Sequence, residues 1–353
     1  MRVKVYNNLG DPELITAWTD AQNAYPTFPM MQIEWITPWW SRNSTNRNLN
    51  VYVLYDGEDQ ASCVAPFCVQ KEFGIKVLRS IPIHFGDFYH FISKDDESEH
   101  FMIEYLKKDI SASVVHIFNC NNQSTTFKSL VANNFQSREI VKILAPNFEG
   151  LEFNDFLLEI SKNSRGQFRK KRNRLIKKGS LKLKEIRKFE DYMTFFPETK
   201  RLYNIRWKED KRPLLSDEYY TMRNTSLEKL FDQGKAVLFL VQWEGKTVAF
   251  RLGFLDENCF YDWKTAHDPE FDYYSPGFLS VGLIIERLIE KGYSRFNFMT
   301  GNYQYKRSWS NLDEENYNAE FFKANNAIGK MYVNYRLNWR EKIKAVATKL
   351  KLR

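Results

Sequence analysis

SPGFLSVGLIIERLIEKGYSRFNFMTGNYQYKRSWS, Ser275 to Ser310, is the stretch on which the reading of the whole chain turns. Ser275 is a residue type that caps helix starts, Pro276 suits the first helical position, and Gly277 keeps the opening amides approachable. A helix that opens this way presents unbonded N–H groups and the positive end of its dipole, a ready site for an anion. Phe278, Val281, Ile284, Ile285 and Leu288 recur at helical spacing and give the helix one broad apolar face. Lys291 and Gly292 end it with a basic last turn and a glycine. Phe296 and Phe298 flank Asn297 in a short strand that runs out at Gly301. By itself the segment predicts one helix and one strand of an α/β domain.

Working outward, 353 residues are enough for two domains with real cores, and an aromatic fraction of 16% marks a folded globular chain. The net charge of +8 favours anionic partners without choosing among phosphorylated cofactors, nucleic acid and membrane surface. Cys63, Cys68, Cys120 and Cys259 form no C-x-x-C pair and sit in or beside apolar runs, so they read as reduced core thiols of a cytoplasmic protein. The start, MRVKVYNNLG, has no apolar signal region, and no window reaches the length of a membrane span. P-loop, G-x-S-x-G, H-E-x-x-H, metal-spaced Cys/His and G-x-G-x-x-G patterns are all missing, which argues against the chemistries they serve and against a metal.

Before the central stretch the chain alternates strands and helices. Val3–Tyr6 reads as a strand, Asp11 to Ala24 and Gln32 to Asn43 as helices, and Leu49–Tyr55 with Ser62–Gln70 as a hairpin turning at Asp56-Gly57. IPIHFGDFYHFI then gathers His84, Asp87 and His90 in an apolar run; carboxylate and imidazole here either handle protons or cap a turn and fill a core. A helix from Glu97, a strand from Val114, a helix from Ser124 and a strand from Glu139 complete the order β-β-β-α-β-α-β. Ala145-Pro146-Asn147 with Gly150 then marks a boundary.

Lys162 to Lys178 carries nine Lys/Arg and no acid. On a helix Arg165, Arg169 and Arg172 make one continuous stripe able to hold phosphates, with Phe168, Leu175 and Ile176 as its apolar edge. A strand, Leu181–Ile186, and two helices, one leading into Arg206-Trp207, precede a three-strand meander. In the last of those strands Tyr261, Trp263 and Thr265 are expected on one face, opposite Asp262 and Lys264, one face packing and the other lining a site. Tyr317–Lys323 reads as a final strand and Ala327–Arg353 as a basic amphipathic tail, solvated, partner-facing or in peripheral contact with a membrane surface.

The central stretch, with its S-P-G helix start, second glycine, F-x-F strand and Gly301 followed by Tyr305-Lys306 and Trp309, resembles the signature of the GNAT-like acyltransferases. The likeness is strongest to the CelD-like or Acetyltransf_6 branch, relatives of the FemAB aminoacyl transferases. FPMMQIEWITPWW (Phe28 to Trp40) is similar to that family's N-terminal helix entry, Phe85 to Phe88 to its G-D-Y turn, and Ser164 to Gly179 to its basic helix. The resemblance implies an α/β (α+β) fold of two tandem GNAT-like modules, each a mixed twisted sheet flanked by helices. Residues 1–150 would form the first, 151–326 the second and 327–353 a basic C-terminal helix.

It implies an acyltransferase moving an acyl group, acetyl first among them, from acyl-CoA to an amine or hydroxyl of a sugar or cell-surface polymer precursor, with no DNA partner. Arg165, Arg169, Arg172, Ser275, Gly277 and Phe278 would hold the donor, and Asp87, Tyr305 and Lys306 would carry the chemistry. His84, Arg206, Trp207, Trp263, Lys264, Asn297 and Tyr303 would line the acceptor cleft. Two departures matter. The phosphate loop Q/R-x-x-G-x-G/A is incomplete, which leaves an aminoacyl-tRNA as the alternative donor. Asn297 stands where the family often has Asp, so the proton goes to Asp87, Asp262 or water, or the chain is a non-catalytic assembly protein.

Overall fold

A computed structural model of the chain describes residues 1–83, 85–109, 111–209, 215–256, 258–301, 303–311 and 316–339. They form two compact units, residues 1–141 together with 317–339, and residues 142–316.

The first unit opens with β1 (Arg2–Tyr6), α1 (Pro12–Ala24), α2 (Ile33–Asn43), β2 (Arg47–Tyr55), β3 (Ala61–Glu72) and β4 (Ile75–Ser80). It continues through β5 (Ile92–Ser93), α3 (Asp96–Lys108), β6 (Val114–Asn121), α4 (Thr125–Ala132) and β7 (Gln136–Lys142). Local chemistry sets these boundaries. The Asp11 carboxylate accepts from the amides of Glu13 and Leu14 to start α1, and Asp56 accepts from Glu58 and Gln60 to turn β2 into β3. Trp35 and Trp39 of α2 are buried, as packing residues should be.

The second unit begins with α5 (Phe153–Glu159), α6 (Lys162–Lys178), β8 (Leu181–Ile186), α7 (Phe189–Glu209) and α8 (Asp217–Asp232). Then come β9 (Ala236–Trp243), β10 (Lys246–Leu255), β11 (Cys259–His267), α9 (Pro276–Glu290), β12 (Arg295–Asn297) and α10 (Gln304–Arg307). Its sheet runs β12-β11-β10-β9-β8, with β11 and β12 parallel and the other pairs antiparallel. Ile284, Ile285 and Leu288 of α9 are fully buried in a core with Val237, Phe239 and Val241 of β9. Each such side chain contributes about 1.5–3 kcal/mol by leaving water.

The chain then returns to the first unit as β13 (Tyr317–Ala324) and α11 (Ala327–Asn334), followed by a π-helical turn, Tyr335–Trp339. The strand expected at Tyr317–Lys323 forms, and it lies in the first sheet, whose order is β1-β2-β3-β4-β6-β13-β7 with β5 on β3. Buried Phe321 and Phe322 and the ion pairs of Glu320 hold it there. Both sheets are mixed, β4 running parallel to β6 in the first, and both are flanked by helices. The basic tail from 340 onward lies outside the described residues.

Candidate functional site

The helix start at Ser275 forms differently from its sequence signal. Ser275 sits in the left-handed region (φ 50°, ψ 60°) and its side chain does not cap α9. The hydroxyl donates to Asp272 O (3.3 Å) and accepts from Lys171 Nζ (2.5 Å) instead. The amides of Phe278 and Leu279 both turn back to Ser275 O, at 3.0 Å, so the first-turn amide left open is that of Gly277. A residue with a Cβ at 277 would meet His267 Nδ1 at 3.0 Å, which ties this turn closely to the end of β11.

Beneath that turn lies a buried polar cluster. Arg251 Nη2 donates to Gly277 O (2.8 Å), Arg251 Nε to Ser280 Oγ (2.8 Å), and Ser280 Oγ in turn to Gly277 O (2.9 Å), fixing the opening of α9 to β10. Arg251 Nη1 is bonded to Asp262 Oδ2, and both side chains are 1% exposed. The other carboxylate oxygen, Oδ1, is buried and has no hydrogen-bond partner among the described residues. Leaving a buried acceptor open costs about 1–3 kcal/mol, so the arrangement is held against its own local preference. Burial pushes the Asp262 carboxyl up, with Arg251 and Lys306 opposing. The Tyr305 ring lies 5.6 Å from the Arg251 guanidinium, and burial raises its hydroxyl too, so it stays protonated at neutral pH.

Asp262 reaches Arg251 because β11 bulges. Lys264 faces Leu252 while Asp262 faces Gly253, so Trp263 is an extra residue and the simple alternation of faces expected over 261–265 stops there. Gly253 makes this possible: any Cβ would lie 2.1 Å from Tyr261 O.

Lys306 is 5% exposed, and its Nζ donates to Phe298 O and Thr300 O, both at 2.8 Å. Asn297 Oδ1 accepts from Met299 N (2.7 Å) as Met299 takes a φ of 52°. Together they shape the loop after β12, and Tyr303 stacks on Tyr305 at 6.2 Å. Phe278 packs on Trp309 at 4.9 Å, within the core.

The basic helix α6 lies close along α9 because Gly282 has no side chain; a Cβ there would sit 2.4 Å from both Phe168 and Trp309. The face it turns toward the start of α9 is Lys171, Arg174 and Lys178. Arg174 stacks on Tyr273 (4.6 Å), and Lys178 reaches the Tyr274 hydroxyl (3.4 Å). Burial lowers the Lys171 ammonium, with Arg174 and Lys170 adding to it. The stripe read from spacing is placed otherwise: Arg165 donates to Leu158 O (3.0 Å), Arg172 pairs with Glu286 (3.1 Å), and Arg169 is exposed.

Of the remaining expected residues, Asp87 belongs to the first unit, where its carbonyl accepts from Asn318 (2.6 Å). Arg206 and Trp207 lie on α7, and Lys264 sits over the Trp263 ring at 4.7 Å. His84 lies outside the described residues. Sequence reasoning passed over Arg251, Ser280 and Lys171. Arg251 did leave a signal, as a lone charge in VAFRLGFL.

Residues 162–307 match the acetyltransferase (GNAT) domain family. Over these residues the chain is similar to that family. No curated protein sequence matches the chain. Among solved structures, the crystal structure of FemX is 12% identical with a TM-score of 0.62, covering 96% of this chain and 100% of that one. The DUF2156 C-terminal domain of a protein described as lysylphosphatidylglycerol synthetase, from Agrobacterium fabrum, is 10% identical (TM-score 0.57), covering 91% of this chain and 95% of that one. L-PGS from Bacillus licheniformis is 13% identical (TM-score 0.50), covering 96% and 99%. At such identities these likenesses speak for the fold. The matched residues fall within the second unit, and the first unit lies outside them.

Proposed function

We propose that the chain is an acyltransferase, that its second unit binds a phosphate-bearing acyl donor at the start of α9, and that the donor is an acyl-CoA, acetyl-CoA first. The observation that carries this reading is the contact of Lys171 with Ser275 Oγ, with Arg174 and Lys178 on the adjoining tyrosines. Three cations converge on one helix opening, directly above the Arg251–Asp262–Tyr305 cluster. The acceptor is an amine or hydroxyl on a sugar or surface-polymer precursor, and the four unpaired thiols suit a cytoplasmic site of action.

In the reaction the acceptor nitrogen or oxygen attacks the thioester carbonyl carbon, the C–N or C–O bond forms and the C–S bond breaks. Asp262 Oδ1 takes the proton lost by the nucleophile, and the raised Tyr305 hydroxyl gives one to the leaving thiolate. Lys306 and Asn297 keep the loop carrying Tyr305 in place.

A second reading, aminoacyl transfer from a tRNA, draws support from the exposed Arg169, Lys170 and Lys177 along α6, a basic track longer than a CoA needs. Calorimetric titration separates the two. Acetyl-CoA binding that is weakened about tenfold or more in Lys171→Ala/Arg174→Ala, and little changed in Arg165→Ala/Arg169→Ala, supports the CoA donor. No acetyl-CoA binding at low salt, with steeply salt-dependent binding of an RNA acceptor stem, would replace it with the tRNA donor.

A further inference from the structure

Arg223 of α8 is 5% exposed and has no carboxylate partner among the described residues. Its Nη2 donates to the Tyr192 hydroxyl (2.5 Å) and to Asn224 Oδ1 (3.0 Å), and its Nε to Asn224 Oδ1 (3.3 Å). Nη1 makes no hydrogen bond to any described residue. The guanidinium carbon lies 4.8 Å from the Tyr220 ring and 5.3 Å from the Phe196 ring. Burial pushes the Tyr192 hydroxyl up, with Arg223 opposing, so this partner is neutral at physiological pH. The positive charge is therefore buried among rings and neutral dipoles, an expensive state that an anion relieves.

Arg223 lines a small hollow of about 10 Å³ floored by Phe250 and Leu252. Through the shared walls of Lys200 and Tyr220 this hollow adjoins a cleft of about 360 Å³ whose apolar side is Phe189, Met193 and Phe196. Phe250 and Leu252 alternate with Arg251 along β10, so this site occupies the sheet face opposite the Arg251–Asp262 cluster. It is distinct from the acyl-transfer site proposed above.

We propose that Arg223 and this cleft form a second ligand site, taking a small monocarboxylate with a flat, apolar body. The carboxylate sits at the mouth of the hollow and meets Arg223 through the one water the hollow can hold, and the body lies against Phe189 and Phe196. Asp217 and Glu228, which also line the cleft, select against a dianion such as phosphate.

The test titrates the full chain with sodium benzoate, with benzamide and inorganic phosphate as comparators, following backbone amide shifts on α7 and α8. Benzoate should bind at least about tenfold more tightly than benzamide or phosphate. Binding should be lost in Arg223→Met, and also in Thr221→Trp, which fills the cleft from an exposed position without touching Arg223. Should Arg223→Met fail to fold, Thr221→Trp decides the matter. Equal binding of benzoate and benzamide, phosphate binding as tight as benzoate, or benzoate binding retained by folded Thr221→Trp would each overturn the proposal. Acetyl-CoA binding should be unchanged in Thr221→Trp, so failure here leaves the donor site standing.

Discussion

Each unit buries a charged cluster against its sheet, and the two are finished differently. In the first, Glu320 is 1% exposed and both of its oxygens are occupied, one by Arg138 and the other by His116 and Arg336. Glu72 nearby is equally occupied, by Arg79, Gln70, Tyr332 and Arg336. The unpaired atoms there are His116 Nδ1 and guanidinium Nε groups. In the second unit one cation meets one acid, and Asp262 Oδ1 is left without a donor among the described residues. A carboxylate satisfied on every side has no capacity left for chemistry and serves to hold strands together. One with an open oxygen, beside a protonated tyrosine and under a helix start, keeps an acceptor free for the proton transfer proposed above.

The sharpest way to break this contrast is to neutralise each acid in turn. Asp262→Asn keeps the shape and should lower acyl transfer from acetyl-CoA by about 10²–10⁴-fold, measured as thiol release in the presence of an amine acceptor. Glu320→Ala strands Arg336 and Arg138 beside a buried histidine and should cost about 3–5 kcal/mol in chemical unfolding of the first unit, with acetyl-CoA affinity of the intact protein unchanged. A third comparison uses pH. Burial lowers His116 to about 4 from an ordinary 6.5, and Glu320 is brought to about 2 from 4.5 because His116, Arg336 and Arg138 outweigh burial. For both groups the unfolded chain binds protons at a higher pH than the folded one. Stability present at neutral pH is therefore lost as pH falls, first from 6.5 toward 4 through His116 and then from 4.5 toward 2 through Glu320. The loss should be visible in acid titration of the unfolding midpoint. Unfolding with no acid dependence between those limits would remove the structural role assigned to the Glu320 network. The smallest effect is at the rim: Lys171→Ala should weaken acetyl-CoA about tenfold and leave the unfolding midpoint within about 0.5 kcal/mol.

Much of the fold was legible because it rests on local signals. The Asp11-Pro12 helix start, the Asp56-Gly57 turn, the apolar spacing of α9 and the glycine at 292 each act within a few residues, and the elements formed where these signals stood. The destination of Tyr317–Ala324 was not local. It depends on Glu320 meeting His116 and Arg138, far apart in sequence, and no window of the chain displays that. The candidate site divides the same way. Tyr305 and Lys306 stand in a contiguous motif, although Lys306 grips main-chain carbonyls. Arg251 and Asp262 meet diagonally across a bulge, and helical periodicity alone does not say which cations of α6 turn toward α9, a choice made by Phe168 packing against Gly282.

The most direct test of the account is the pH dependence of acyl transfer under saturating donor, wild type beside Asp262→Asn. The account predicts an acid limb in the wild type with its midpoint above the ordinary carboxylate range, since burial pushes Asp262 up, and no such limb in the residual activity of the variant. The same limb with near-wild-type rates in Asp262→Asn would contradict it, and would place the proton acceptor elsewhere.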